Sequence, residues 1–319
     1  MDVSSQQFYQ EMKSARQKLL TPRTSVRVIE TAAQGIFTVC AFAGLFAVIS
    51  ITLYMIANGV PAIRQIGLKE LLFSALWKPV AREPSFGILY IVLSSVIATF
   101  LATLLGVSAG LLTAVFLAEI APERLAAVVR PAVELLAGIP SVVYGLLGMM
   151  ILNPVMYRWE LRLFEGSQTH RFTGGANLMS AVLVLAVMIL PTVISISESA
   201  LRAVPAQLKA SSMALGASHV QTIFRVIIPA ARPGIVTAVV LGVGRSLGEA
   251  MAVNMVSGGS VSFPLPFCSV RLLTTAIVSE MGYAEGLHRQ VLFTIGMILF
   301  LFIMLVNILL HAVLRRGDG

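Results

Sequence analysis

The chain has 319 residues and a net charge of +8; 57% of its residues are apolar and only 12% are charged. Soluble domains carry about 25% charged residues, so this composition excludes a soluble globular protein and predicts one with several membrane spans. The apolar runs are long, which favours helices over barrel strands. No basic stretch with interleaved aromatic residues indicates nucleic acid. The four histidines lack metal-ligand spacing, so no metal site is expected.

Six apolar runs follow a polar N-terminal tail of residues 1–34. The predicted spans are Gly35–Ala57, Ile88–Leu117, Val128–Leu152, Leu178–Ser197, Ile235–Val256 and Val291–Leu314. The first run lacks the cleavage signature of a signal peptide, so it is interpreted as a retained span. The sequence thus predicts an all-α integral membrane protein with one transmembrane domain over residues 35–317.

Lys and Arg are unevenly divided between the two sides of these spans, 13 against 9. The richer side contains both tails and the loop between the fourth and fifth spans. That loop has no acidic residue between Ser199 and Gly234. The positive-inside rule therefore places this side, with both termini, in the cytoplasm.

Two charged residues, Arg245 and Glu249, lie inside the fifth span. Each costs about 2.5–3.5 kcal/mol near the centre of a bilayer. Their i,i+4 spacing predicts that both project from one face of a helix, with Glu249 able to neutralise Arg245. Arg245 would lie about 15 Å deep. A cation at that depth suits a passing anion; the alternative is a self-neutralising pair that only packs helices together.

The third span contains the sequence Gly138-Ile139-Pro140-Ser141. Pro140 cannot donate a backbone hydrogen bond, so a bend or break is predicted there. Gly138 permits close helix contact or a broken helix beside a path, and Ser141 can offer its hydroxyl to an anion. The alternative is a kink that serves packing alone. Upstream, Glu134 lies one turn from Arg130, which predicts an ion pair between them.

The loop between the fourth and fifth spans, about residues 205–233, has helix signals. Pro205 is placed to open a helix, Gly216 to end it and Ser218 to cap the next, while Pro229 and Pro233 close the segment. We expect two short helices at about a right angle on the cytoplasmic face. Either a soluble partner or the membrane face covers their apolar side chains, unless the loop is a solvated connector. These side chains are Leu208, Met213, Leu215, Ile223 and Phe224.

This loop resembles the EAA motif of ABC importer permeases. In that motif Glu-Ala-Ala is followed by three residues, Gly, nine residues and Ile-x-Leu-Pro. Gly216 and Pro229 fit the motif, whereas Ala210 stands in place of the Glu. The resemblance implies that an ATPase docks on this loop. The residues implied are Ala210, Ser211, Ser212, Gly216, His219 and Pro229.

Further stretches resemble Pst-type phosphate permeases. They are Glu134–Gly145, Gly244–Val253, Leu273–Ile277 and Glu285–His288, the last two being similar to the PstC-type subunit. The resemblance implies a type I ABC importer permease that carries phosphate across a prokaryotic inner membrane. The residues that this assigns to the pathway are Arg245, Glu249, Ser141 and Ser246, with Gly138 and Pro140 at a kink.

The chain has no Gly-x-x-x-x-Gly-Lys-Ser/Thr loop, so a partner must hydrolyse ATP, and no cofactor is expected on this chain. The resemblance implies three partners: a PstA-like second permease, a PstB-like ATP-binding dimer and a PstS-like phosphate-binding protein. The pathway itself lies in the lipid bilayer. One alternative is an ion-coupled secondary anion carrier, although no second internal half is visible. Another is an ABC permease for molybdate or sulfate.

Overall fold

The computed structural model describes residues 24–315, without the side chains at 24–29, 310–311 and 313–315. The chain divides into two units, 1–54 and 55–319. Residues 1–23 of the predicted 1–34 tail lie outside the described residues. The rest of that tail is helical. The functional residues considered below all belong to the second unit.

Apart from one small hairpin and an isolated bridge between Gly258 and Val270, the regular secondary structure of the described residues is helical. Its elements are α1 (Thr24–Ile66), α2 (Leu68–Phe73), β1 (Trp77–Lys78), β2 (Ser85–Phe86), α3 (Leu89–Val115), α4 (Glu123–Gly138), α5 (Ser141–Leu147), α6 (Asn153–Leu163), α7 (Leu178–Arg202), α8 (Ala206–Ala214), α9 (His219–Thr222), α10 (Ile228–Gly248), α11 (Met251–Val256), α12 (Leu273–Glu280) and α13 (Gly286–Arg315). Three π-helical turns join neighbouring helices: Phe116–Ile120, Gly148–Leu152 and Ile223–Ile227.

The number of candidate spans is five or six, against the six that the sequence predicts. Within residues 24–315, five helices are long and apolar enough to cross a membrane. The pair Glu123–Gly138 and Ser141–Leu163, which is bent by 99°, brings the number to six if the pair is counted as one span. The fourth span begins at Leu178 as expected, because the Asn177 side chain accepts a hydrogen bond from the Ser180 N–H at 3.0 Å and caps the helix.

Small residues allow α3 and α7 to pack closely. A Cβ atom on Gly110 would lie 2.8 Å from Cγ1 of Val193, and one on Gly106 would lie 2.9 Å from the Ala186 carbonyl oxygen. Close approach of backbones is the usual way in which membrane helices associate, since lipid provides no hydrophobic drive between them. α3 and α7 therefore form the tightly packed centre of the second unit.

The fifth span differs from the prediction at both ends. Its helical path runs from His219 through the π turn into α10, so only α8 is a separate loop helix. Pro229 lies inside this helical path, directly after the π turn, instead of closing the loop; local π adjustments are one way in which membrane helices accommodate the missing N–H of a proline. At the other end the helix stops at Gly248, short of the predicted Val256.

The predicted outer side carries structure that sequence patterns did not predict. The β1–β2 hairpin and α12 meet at Glu280, whose side chain is buried. Its carboxylate accepts hydrogen bonds from the Trp77 indole at 3.2 Å and from Arg271, and it lies 2.7 Å from Nε2 of His288. These contacts tie three separate outer segments together.

Side-specific cysteine labelling tests the predicted orientation. In a chain with Cys40→Ser and Cys268→Ser, Leu215→Cys is expected to react with a membrane-impermeant maleimide only in inverted vesicles, and Glu165→Cys only in intact cells. Leu215 is 89% exposed, and Glu165 is also exposed, so both thiols are reachable. Ser212→Cys should behave like Leu215→Cys. Labelling of Leu215→Cys or Ser212→Cys from outside intact cells would refute the prediction that both termini are cytoplasmic.

Candidate functional site

Two membrane helices are broken close to the predicted pathway residues. The first break separates α4 from α5 at Ile139 and Pro140, whose ψ angles are 127° and 141°. The second separates α10 from α11 at Glu249, whose backbone is extended with φ −76° and ψ 123°. Interrupted helices leave backbone polar groups without intrahelical partners. They are tolerated in a bilayer only where protein covers them or where they face a water-filled path.

The helices that follow the two breaks pack against each other through glycines. A Cβ atom on Gly145 would lie 2.9 Å from Cα of Ala252, and one on Gly148 would lie 2.8 Å from Cγ1 of Val256. Gly145 and Gly148 therefore allow a close contact between these two segments. Gly138 has no atom within 4 Å of its Cβ position. It ends α4 at the break and makes no packing contact.

Tyr144 bridges the first break. Its hydroxyl donates to the Leu136 carbonyl oxygen at 2.7 Å, which satisfies one of the last carbonyl groups of α4. Ser141 is half-buried and opens α5 on the same stretch. Sequence analysis missed Tyr144, although a phenol four residues after Pro140 in an apolar run is a usable signal.

Glu249 caps α11 and does not pair with Arg245. Its carboxylate accepts the Ala252 N–H at 2.9 Å, and its carbonyl oxygen accepts the Thr274 hydroxyl at 2.9 Å. A carboxylate at a helix N-terminus is favourable. The predicted i,i+4 pair is wrong because the helix ends at Gly248, and the extended backbone at Glu249 takes its side chain off the helix face.

Arg245 consequently has no acidic partner within the part of the chain that the structure describes. It is half-buried in the last turn of α10, and no carboxylate oxygen of the described residues lies within 4.0 Å of it. A cation is favourable at the C-terminal end of a helix dipole. This interaction offsets part of the free-energy cost of placing Arg245 in the membrane region. Its neighbour Ser246 points elsewhere: the residue is 3% exposed, and its buried hydroxyl has no hydrogen-bond partner among the described residues.

The loop around α8 has the local structure that its sequence predicts. α8 begins after Pro205, and the chain then turns at Gly216, whose φ of +88° lies in the left-handed region. Ser218 caps α9 in a reciprocal capping box with Gln221. No residue of α8 is buried, which leaves Ala210 and Ser211 exposed. His219 is exposed at the start of α9.

Ion pairs connect the helix ends on this predicted cytoplasmic side. Nε of Arg130 lies 2.6 Å from Oε1 of Glu198, and Nε of Arg202 lies 2.9 Å from the same oxygen. The predicted pair of Arg130 with Glu134 is therefore wrong, since a buried carboxylate on α7 takes the arginine while Glu134 is exposed. This network joins α4 to the end of α7.

A cavity of about 810 Å³ opens between two outer loops, residues 164–176 and 258–269. Serine and threonine side chains line much of it. At its edge the fully buried Glu160 carboxylate lies 2.8 Å from Nε2 of His170 and accepts the Thr173 N–H at 2.9 Å. Burial raises the pKa of the Cys268 thiol, with a backbone hydrogen bond from Leu265 opposing and Glu160 adding to the rise.

Residues 106–317 match the family of binding-protein-dependent transport system inner membrane components. The chain belongs to this family. It is a multi-pass permease of the prokaryotic inner membrane, and this membership leaves no support for an ion-coupled carrier that works alone.

Two relatives illustrate the similarity of this permease to known proteins. The probable ABC transporter permease protein YqgH of Bacillus subtilis is 37% identical, over 94% of this chain and 96% of the relative. The phosphate transport system permease protein PstC of Pasteurella multocida is 35% identical, over 70% and 73% respectively.

Solved structures confirm the fold of this permease. A chain of the MetNI methionine ABC transporter aligns with a TM-score of 0.54 and 23% identity, over 72% of this chain and 95% of that chain. A chain of a bacterial alginate ABC transporter aligns with a TM-score of 0.61 and 15% identity, over 90% and 96%. The fold is therefore that of ABC importer permeases.

Proposed function

We propose that this permease is the membrane-spanning subunit of an ATP-driven phosphate importer. The observation that carries the proposal is Arg245, a cation that has no acidic partner in residues 24–315 and lies beside a break in a membrane helix. A buried or half-buried cation of this kind needs a compensating anion, and a transported anion supplies one. The names of relatives such as PstC of Xylella fastidiosa, 32% identical over 85% of this chain, favour phosphate.

Arg245 acts by electrostatics in this proposal. Phosphate loses part of its hydration in a narrow path, and a fixed cation lowers the free energy of the dehydrated ion. Binding must stay weak enough for release. Glu249 cannot provide that weakening by pairing with Arg245, since its carboxylate is occupied at the start of α11. In this arrangement the phosphate contacts Arg245 transiently, and the Ser141 hydroxyl donates a hydrogen bond to it.

The remaining machinery comes from partner subunits. An ATP-binding dimer (PstB-like) docks on the α8 loop, where apolar side chains project into solvent; the most exposed are Leu215, Val220 and Phe224. A second permease (PstA-like) completes the pathway, and exposed apolar residues on both sides of the first break offer it a surface. These are Leu135, Val142, Leu146 and Leu147. A PstS-like binding protein delivers phosphate from outside.

Uptake by the reconstituted complex tests this function. The permease, a second permease and an ATPase in proteoliposomes, supplied with binding protein, should accumulate labelled phosphate only when ATP is present on the ATPase side. Competition by sulfate and molybdate should be weak. Uptake driven by an ion gradient without ATP would reject the ABC mechanism, and preferred uptake of sulfate or molybdate would replace the substrate.

A further inference from the structure

The helix α8 is held to the rest of the permease by few contacts. None of its residues is buried. A cavity of about 370 Å³ lies beneath it. Residues from four neighbouring segments line this space, including Leu117, Glu119, Ala126, Leu201 and Ile227. Apolar packing therefore does not determine where α8 lies, and its polar contacts must do so.

The carboxylate of Glu119 provides the polar contact between α8 and a membrane helix. Its side chain is only 8% exposed, and it accepts a hydrogen bond from Nζ of Lys209 in a close ion pair. Nε2 of His219 lies 4.0 Å from the same carboxylate, but that side chain is largely exposed and adds little. A nearly buried carboxylate is costly without a cation, so Glu119 and Lys209 stabilise each other's positions.

A second contact holds α8 to the end of α9, in the helical path that continues into the fifth span. The Ser212 and Thr222 hydroxyls lie 3.0 Å apart, and Thr222 is fully buried. This bond attaches α8 to the helical path of the fifth span and does not involve α3. The ion pair of Lys209 with Glu119 is thus the polar link from α8 to the second span among the described residues.

Glu119 lies in a place suited to transmitting movement. It belongs to the π turn Phe116–Ile120 that ends α3, and a second π turn, Ile223–Ile227, separates α9 from α10. π turns are local irregularities of helices that recur at functional sites. α3 is closely packed along α7 through Gly106 and Gly110, so a displacement at its end is carried into the centre of the bundle.

We propose that Glu119 is the positioning residue that ties α8 to the second span, so that movement of a docked ATPase reaches the pathway. Lys209 immediately precedes Ala210, where the loop lacks the acid of the EAA motif. In this permease the acid at the loop is Glu119 on a membrane helix, and the base is on α8. The inference rests on the proposed function, because it concerns the coupling of ATP hydrolysis to phosphate uptake.

We call the ion pair of Glu119 with Lys209 the tie. Charge removal and charge reversal test it in the reconstituted complex. Glu119→Gln and Lys209→Ala are each expected to lower the ratio of phosphate transported to ATP hydrolysed by about fivefold or more. The double variant Glu119→Lys with Lys209→Glu should recover most of the ratio. Glu123→Gln is the matched control, since this exposed carboxylate lines the same cavity and makes no ion pair with any described residue; it should leave the ratio unchanged.

Two results would overturn the tie. One is a wild-type ratio in Glu119→Gln. The other is uncoupling in both single variants without recovery in the double variant, which would mean that Glu119 acts on a group other than Lys209. Lys209 is the more exposed member of the pair, so Lys209→Ala still tests the tie if the Glu119→Gln complex fails to assemble.

A spin label separates the tie from the proposed function. Attached at Leu215→Cys in a chain with Cys40→Ser and Cys268→Ser, the label should become more mobile in Glu119→Gln than in the Glu123→Gln control. This readout needs no transport. Increased mobility in a permease whose wild-type complex does not import phosphate would reject the function and support the tie. Unchanged mobility would reject the tie alone.

Discussion

Replacing Arg245 by glutamine is expected to lower phosphate uptake per assembled complex by about a hundredfold or more. A unit charge about 4 Å from an anion contributes about 4 kcal/mol at an effective dielectric constant of 20. Assembly should be normal, because Arg245 makes no ion pair whose loss would leave a buried carboxylate unpaired. The measurement is initial uptake of labelled phosphate, normalised to purified complex.

Two further variants define the role of Arg245. Arg245→Lys keeps the charge and loses the guanidinium fork, so it should retain part of the uptake. Glu249→Gln keeps an oxygen that accepts the Ala252 N–H, so α11 remains capped and uptake should change much less. If the two residues were only structural glue, Arg245→Gln would reduce assembly and added Glu249→Gln would restore it. Normal uptake in Arg245→Gln would refute the pathway role.

Replacing Gly216 by valine is expected to uncouple ATP hydrolysis from uptake. The φ angle of Gly216 is +88°, and a left-handed conformation costs an L-residue about 1–2 kcal/mol, more for a β-branched one. The Cβ position has no atom within 4 Å, so strain in the backbone, and not a clash, is the cause. The turn between α8 and Ser218 would relax and misplace α8. ATPase activity should persist while phosphate uptake falls by about fivefold or more.

Asparagine is the matched control at this position. Asn tolerates the left-handed region better than other residues with a Cβ atom, so Gly216→Asn should remain largely coupled. Equal loss in Gly216→Asn and Gly216→Val would indicate that any side chain at this surface blocks the ATPase. Unchanged uptake in Gly216→Val, at normal expression, would mean that the loop is only a connector.

Local signals in the sequence were sufficient to locate the apolar helices and α8, although not the ends of the fifth span. Apolar runs of about 20 residues have one low-energy solution in a bilayer, a helix whose backbone groups are all paired. Pro205, Gly216 and Ser218 act within a few residues of their own positions, through a fixed φ, a positive φ and a side-chain cap. The break at Pro140 follows in the same way from a missing N–H.

Contacts between distant segments decided the pathway and the ion pairs. The fifth span ends at Gly248, where Glu249 caps α11 and the Thr274 hydroxyl, 25 residues away, binds the Glu249 carbonyl oxygen. Arg130 pairs with Glu198 on another helix and leaves Glu134, one turn away, exposed.

The tie between Glu119 and Lys209 has the same origin, since 90 residues separate its members. Sequence spacing predicts partners only along one helix, where i,i+4 side chains are neighbours. The local rule fails when the helix stops before the second residue of the pair. It also fails when a buried carboxylate on a second helix lies closer, because leaving that carboxylate unpaired in a low-dielectric environment would cost more free energy. The sequence alone therefore determined which charges lie in or beside the membrane helices, and only the tertiary structure decided which of them are paired and which, like Arg245, are left without an acid.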